Sequence, residues 1–256
     1  MRERLYGRHV IEEALRAGRR ELHRLWVRSG PLGPEWRAVL ELGRRQGLVV
    51  EPCDAQKWNS LAGSDEEARQ QRCLLEAGPL PVLEDVRKLR EECGSHPGGV
   101  LVVALDGVED PQNVGTLARV ADAAGAHALL LTNRRSPPLS PALSRASAGA
   151  IEWQCVARIP NLVRGLKDLK EGGFWVLAAD PDADQVLFDL PDALLAGDLV
   201  VVLGAEGRGL RPGVRAQVDH LVSLPMQGRV ASLNVATAGA VILYERMRRA
   251  RISVDP

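Results

Sequence analysis

Two regimes of hydrophobic patterning divide this 256-residue chain. Early on, the apolar period switches quickly. In "GRHVIEEALRAG" the apolar residues Val10, Ile11, Ala14 and Leu15 recur at helical spacing and stop at Gly18. "LHRLWV" then reads as a strand, "PEWRAVLELGRRQG" as a helix closed by Gly47, and "LVVEPC" as another strand. This compact βαβ-like run predicts a small α/β domain over residues 1–62. The pattern then weakens. "AGSDEEARQQR" is polar, "EAGPLPVLEDV" is broken by prolines and "ECGSHPGG" is rich in turn formers, so residues 63–98 are expected to form a linker. From Val100 the pattern becomes regular, with apolar runs at "VLVVALDGV", "AHALLLT", "FWVLAAD", "DLVVVLG" and "HLVSLP". Helical stretches such as "VGTLARVADAAG" and "IPNLVRGLKDLKEGG" lie between them. Continuous apolar strands alternating with helices predict an α/β domain over residues 99–256, its parallel sheet covered on both faces.

Composition narrows the class. Apolar residues make up 45% and charged residues 26%, as in ordinary globular domains. No apolar run reaches the ~18 residues of a membrane helix, so no span is expected. "MRERLYGRHVIEEAL" lacks the apolar core of a signal peptide, and a cytoplasmic protein is expected. Cys53, Cys73, Cys93 and Cys155 are widely spread without a CxxC pair, and there are only five histidines. Neither a metal site nor a disulfide framework is expected, in keeping with a reducing compartment.

Charge is balanced overall, 33 basic against 33 acidic residues, which argues mildly against a nucleic-acid partner. Its distribution is uneven. Residues 1–50 carry eleven arginines against six glutamates, and "ERMRRAR" carries four arginines against one glutamate. Solvated helix faces and RNA contacts both account for such arginines.

Candidate chemistry sits just after strands, where open α/β sheets bind ligands. "VALDGVEDPQNVGTLARVADAAG", "VVLGAEGRGLRP" and "LPMQGRVASLN" each follow a predicted strand. "GAEGRG" does not match GxGxxG and comes late in the chain, and no Gly-Lys-Ser/Thr is present, so a dinucleotide site or P-loop is disfavoured. Plain turn-forming glycines remain the bland alternative. Against it stands Glu206, a carboxylate directly after an apolar run, costly there unless paired. Asp110-Pro111 reads as a helix entry, with Asn113 a possible cap and Arg119, nearly two turns on, either solvated or roughly on the side of Asn113.

Taken in order, Asn113 and Arg119, then Gly204-x-Glu206-Gly207, then Pro225-Met226-x-Gly228 with Ser232-Leu233-Asn234, closely resemble the three signature motifs of the SpoU (TrmH) family of RNA ribose 2′-O-methyltransferases, within the SPOUT superfamily. The resemblance runs from about Val100 to Arg248 and includes "SRASAGAIEW" at 144–153. "LYGRHVIEEAL" is similar to the small ribosomal-protein-like RNA-binding domain of the branch that modifies ribosomal RNA.

The resemblance implies a parallel sheet with a C-terminal trefoil knot, which general folding rules would not suggest. It implies S-adenosylmethionine as cofactor, bound by Gly204, Leu224 and Leu233 with Met226 and Gly207. Arg119 is implied to activate or stabilise the attacking ribose hydroxyl, with Asn113, Glu206, Ser232 and Asn234 positioning it. An arginine is effectively always protonated, so electrostatic stabilisation of the alkoxide is the more natural role. The implied partners are RNA, with ribosomal RNA favoured, and a second copy of the chain. The apolar helical face of Val235, Ala238, Gly239, Ile242 and Leu243 is the expected dimer contact, although core packing would look the same.

One departure is visible: "ARQQRCLLEA" carries Gln71-Arg72 where the ribosomal-RNA branch shows a Gln-Gly. A transfer-RNA substrate, a catalytically silent RNA-binding protein and a nucleotide-dependent oxidoreductase are the rival readings. The last is opposed by the missing early GxGxxG.

Overall fold

The computed structural model describes the backbone of residues 2–254 and the side chains of residues 2–250. In chain order the elements are β1 (Glu3–Tyr6), α1 (Arg8–Ala17), β2 (Leu22–Arg28), α2 (Pro34–Arg45), β3 (Val49–Cys53), α3 (Ala55–Ala62), α4 (Glu66–Gln70) and β4 (Cys73–Ala77). There follow α5 (Val86–Cys93), β5 (Leu101–Asp106), α6 (Pro111–Ala123), β6 (Ala128–Thr132), α7 (Pro141–Ala146), β7 (Cys155–Ile159) and α8 (Leu162–Glu171). The last are β8 (Trp175–Ala179), α9 (Asp192–Ala196), β9 (Leu199–Gly204), α10 (Pro212–Arg215), β10 (His220–Val222) and α11 (Val235–Val254). They form two compact units, one of residues 1–81 with 138–153, the other of 82–137 with 154–256.

The first unit holds a four-stranded sheet in the order β1-β4-β2-β3. β2 and β3 run parallel around α2, the predicted βαβ run, while β4 lies antiparallel between β1 and β2. Residues 63–98, expected as linker, therefore contain a central strand and two helices. "CLLEA" is only five residues long and follows a polar stretch, so its apolar content was diluted in the sequence pattern. Period-2 alternation splits the strands' side chains between two faces. Leu5, Leu25 and Leu75 pack with Val10, Ile11 and Leu15 of α1 and Val39 and Leu40 of α2. Tyr6, Trp26 and Leu74 pack on the opposite face with Trp58 of α3 and Ala68 of α4. Each fully buried leucine of this kind contributes about 1.5–3 kcal/mol.

The "SRASAGAIEW" stretch belongs to this unit by its packing. Arg20, 4% exposed, donates from Nε and Nη2 to the Glu152 carboxylate at 2.6 and 3.0 Å, and from Nη1 to Glu3 at 2.6 Å and to Gly78 O at 3.0 Å. Ser144 Oγ donates to Glu152 Oε1 at 2.7 Å. The buried charges are thus paired and hydrogen-bonded on all sides, the condition for tolerating them. Gly149 is required here: its φ is +89°, and a Cβ would lie 2.8 Å from Glu13 Cβ and 3.2 Å from His9 O.

The second unit is built on a six-stranded, wholly parallel sheet ordered β10-β8-β9-β5-β6-β7. Strands such as β5 and β6 are buried at every residue, which is why they read as continuous apolar runs. α5 and α8 cover one face over Val102, Ala104, Leu130 and Val200. α11 packs on α6 and β9: a Cβ on Gly239 would come within 2.5 Å of Leu117 and 2.8 Å of Leu203. The α11 face expected to contact a second copy is therefore core within one chain, with Ile242 and Leu243 fully buried and Val235 nearly so. Two of the C-terminal arginines are not on a solvated face, whereas Arg248 is exposed. Arg246 is buried and donates to the carbonyls of Gly98 and Gly99, and Arg249 is buried and donates to Phe188 O. Among the described residues no helix is long and apolar enough to cross a membrane, and no cluster of His, Cys, Asp or Glu could hold a metal ion.

Candidate active site

The chain leaves β5 and turns through β6 and β7 on one side, then returns to β8 and β9 on the other. The switch point therefore lies between β5 and β9, where Asp106 pairs in register with Gly204 at the carboxyl ends. Loops from β5, β8, β9 and β10 all open at this end of the sheet.

The loop after β9 is a tight turn. Gly209 N–H donates to Ala205 O at 2.9 Å, and Gly207 and Gly209 adopt φ of +74° and +61°. A Cβ on Gly204 would sit 2.5 Å from Gly209 C and 2.7 Å from Gly209 O, so only glycine lets the turn close on its own base. Asp106, 1% exposed, clamps that base by accepting from Arg211 N at 2.8 Å and Arg211 Nε at 2.6 Å. The turn presents Glu206 at its tip. That carboxylate is exposed rather than buried, so the desolvation cost expected of it does not arise.

Three of the predicted residues meet there. Asn234 is the N-cap of α11: its Oδ1 accepts from Ala236 N at 2.9 Å and Thr237 N at 3.3 Å. With Oδ1 committed to the helix, Nδ2 is obliged to face outward, where it donates to Asn113 Oδ1 at 3.0 Å and to Glu206 Oε1. Asn113 Nδ2 reaches the same Glu206 oxygen at 3.4 Å. Asn113 is free to do so because Asp110 caps α6, accepting from Gln112 N at 3.0 Å.

Beside this cluster lies a cavity of about 730 Å³. All the residues expected to bind cofactor line it: Gly204, Gly207, Leu224, Met226 and Leu233. Glu206, Ser232 and Asn234 also line it, whereas Asn113 and Arg119 do not. Arg119 is exposed on α6 and makes no hydrogen bond or ion pair among the described residues. Six residues at about 100° each turn it roughly 120° away from Asn113, not onto its side. Asp180 and Asp182, in the loop after β8, were not singled out in the sequence although they follow an apolar strand just as Glu206 does. Asp180 is ion-paired with Arg215.

The lining suits a small amphipathic cation. Leu203, Leu224 and Leu233 offer an apolar wall, and Asp182 and Glu206 offer carboxylates. A Cβ on Gly207 or Gly228 would meet nothing within 4 Å, leaving backbone groups open to a ligand. The volume lies within the ~300–1,000 Å³ of small-ligand sites.

Comparison with known proteins adds the family. Residues 100–244 match the model of the SpoU rRNA Methylase family, and residues 4–67 match an RNA 2′-O ribose methyltransferase substrate-binding model. The chain is 34% identical to the 23S rRNA (guanosine-2′-O-)-methyltransferase RlmB of Pseudomonas aeruginosa, covering 96% of each chain. It is 33% identical to the putative TrmH family tRNA/rRNA methyltransferase YacO of Bacillus subtilis, over 95% of this chain and 94% of that one. In fold it is similar to the SpoU methyltransferase AviRb of Streptomyces viridochromogenes, solved in complex with AdoMet, with a TM-score of 0.77 at 23% identity over 98% of this chain and 91% of that one. Near-full-length kinship, with two motif loops lining one cavity and Asn113 of the third bonded to both, leads to a single assignment: the chain belongs to the SpoU rRNA methylase family.

Proposed function

We infer that the chain transfers a methyl group from S-adenosylmethionine to a ribose 2′-hydroxyl of RNA. The single observation that carries this reading is the convergence of Asn113, Glu206 and Asn234 at the mouth of a cavity lined by Gly204, Leu224 and Leu233. The relatives that match along nearly their whole length are named for this chemistry. We further propose a guanosine of large-subunit ribosomal RNA as the target, following the substrate named for those relatives.

When bound, S-adenosylmethionine supplies a methyl group already activated on a sulfonium, so no electrophile has to be made by the protein. Transfer would break the cofactor's C–S bond as the O–CH₃ bond formed, the hydroxyl proton passing to solvent water. The chain must hold both partners in line and stabilise charge developing on the ribose oxygen. Leu224 and Leu233 would flank the adenine, with open backbone at Gly207 bonding its edge and Met226 closing the pocket. Glu206, fixed by two amides, would stand near the cationic end of the cofactor. Ser232, exposed on the cavity wall, would bond the ribose of the target. Arg119, exposed and without an ion pair among the described residues, would bridge a target phosphate and the attacking oxygen. Threading of the 224–234 segment as a trefoil knot, a homodimer and a cytoplasmic site of action complete the proposal. The meeting of that segment with the 204–209 turn on one cavity supports the threading.

The test is transfer of tritiated methyl from S-adenosylmethionine to protein-free large-subunit ribosomal RNA and, separately, to transfer RNA. Label recovered as 2′-O-methylguanosine in ribosomal RNA is the expected result. Label in transfer RNA alone would move the substrate, and cofactor binding without transfer to any RNA would make the protein a silent member of its family. Arg119→Ala should lose transfer while keeping cofactor affinity; near-normal turnover would remove Arg119 from the chemistry.

A further inference from the structure

The cations of the first unit fall into two sets. Most are neutralised locally. Arg8 and Arg16 pair with Glu12, Arg24 and Lys57 with Glu51, Arg44 and Arg45 with Glu41, Arg2 with Glu76, and Arg145 with Asp65 and Glu67. Arg4, Arg28, Arg37, Arg69 and Arg72 make no ion pair among the described residues. Each instead donates to a backbone carbonyl.

These five are linked by the groups they hold. Arg28, at the end of β2, donates from Nη1 to Arg69 O at 3.1 Å, while its own N–H donates to Arg72 O at 2.9 Å. Arg69 Nε donates to Gly63 O at 2.9 Å, just past α3, and Arg4 Nη1 donates to Leu61 O at 2.7 Å, in the last turn of α3. Arg72 Nη2 donates to Pro31 O at 2.6 Å, and Arg37 Nε to Leu32 O at 3.2 Å. The floor beneath them is rigid, since Trp58, fully buried, donates its Nε1–H to the same Arg69 carbonyl at 3.1 Å.

A neutral carbonyl orients a guanidinium without cancelling its charge and uses one of its five N–H groups. The remaining donors are pre-set for an anion, and the planar fork matches phosphate in two-point contact. Among the described residues the carboxylates on the same segments that lack an ion pair are Glu35, Asp54 and Glu66, so positive charge remains in excess. Tyr6 and Trp26 of the sheet and Trp58 of α3 are buried and offer no face to a base.

We propose that Arg28, Arg69 and Arg72, flanked by Arg4 and Arg37, are the surface with which this chain grips the sugar-phosphate backbone of its RNA substrate. This rests on the reading of the chain as an RNA methyltransferase. Recognition on this face is by phosphate and shape, not by base identity.

The test measures binding of protein-free large-subunit ribosomal RNA by filter retention across a potassium chloride series, with S-adenosylmethionine affinity measured by calorimetry. Losing about three phosphate contacts in an Arg28→Gln/Arg69→Gln/Arg72→Gln variant should lower the slope of log affinity against log salt by about 2 and weaken binding at least about tenfold. The cofactor affinity should not change. Arg44→Gln/Arg45→Gln, which removes two ion-paired cations from the same unit, should bind within about twofold of wild type. If circular dichroism shows the triple variant unfolded, Arg69→Gln alone decides, with an expected slope change of about 0.7. A folded variant with the wild-type slope, while the wild type still methylates RNA, overturns this surface and leaves the activity standing. Absence of RNA binding and methylation by the wild type itself would overturn the activity first.

Discussion

Asn234 holds two tasks that substitution can separate. Its Oδ1 caps α11 through Ala236 N and Thr237 N, and its Nδ2 ties Asn113 to Glu206. Asn234→Asp keeps an acceptor for the cap and adds a charge that favours a helix N-terminus by about 0.3–1 kcal/mol. It also replaces the donor facing Glu206 with a second carboxylate. Two such charges ~4 Å apart repel by about 1 kcal/mol in water and about 4 kcal/mol at an effective dielectric of 20. Both groups are exposed, so the lower figure governs stability. The melting temperature should therefore stay within about 2–4 °C of wild type, the shift that ~1 kcal/mol causes in a chain of this size. Methyl transfer should nonetheless fall at least about tenfold, since ~1.4 kcal/mol of misplaced transition-state contact suffices for that. Asn234→Ala should lose both tasks, with about 1 kcal/mol of stability gone through the cap. The assays are calorimetric melting and initial-rate transfer of tritiated methyl to ribosomal RNA. An Asn234→Asp enzyme with wild-type turnover would show that the amide bridge to Glu206 has no part in the reaction.

The buried pair in the first unit yields a stability prediction: Arg20→Met leaves Glu152, 1% exposed, with Ser144 as its hydrogen-bond donor, and should cost about 3–5 kcal/mol in urea unfolding. A cost under ~1 kcal/mol would mean that the pair is solvated. His127 yields a pH dependence. Burial, then the tilted His96 ring at 3.8 Å and the Arg246 guanidinium, hold its pKa down at about 4, and its Nδ1 already accepts from Leu101 N at 2.9 Å. The unfolded chain binds that proton near pH ~6.5 and the folded one only near 4, so stability is complete above ~6.5 and falls as pH drops towards 4, by at most about 3 kcal/mol. In His127→Gln the slope of unfolding free energy between those values should flatten, as read by urea titrations at several pH values; an unchanged slope would assign the dependence to other groups.

What the sequence disclosed depended on how local the signal was. β5, β6, β8 and β9 announced themselves because a strand covered on both faces reads as a near-continuous apolar run. β4 did not, since "CLLEA" stands alone after a polar stretch and its partners β1 and β2 lie far back in the chain. β7 was hidden likewise behind the turn-rich stretch ending at Trp153. The same locality governed the charges. Arg246 looks like part of the solvated side of a terminal helix because its partners, the carbonyls of Gly98 and Gly99, carry no side-chain signature at all. Asp106 was passed over for the same reason: one of its two donors is the backbone N–H of Arg211, more than a hundred residues on.

The motif residues were legible for the opposite reason. Asn113, Glu206 and Asn234 meet through side-chain amide and carboxylate groups, so their residue types stand out in the sequence even where the geometry joining them does not. That contrast bears on the arginines of the first unit. A count of eleven arginines against six glutamates in residues 1–50 locates no surface, because most of those arginines are neutralised in place. Two of the five cations left without a carboxylate, Arg69 and Arg72, lie outside that stretch, in the segment whose pattern read as linker. The electrostatic excess of the unit is therefore set by which carboxylates have been used up, and only the pairing in three dimensions reveals it.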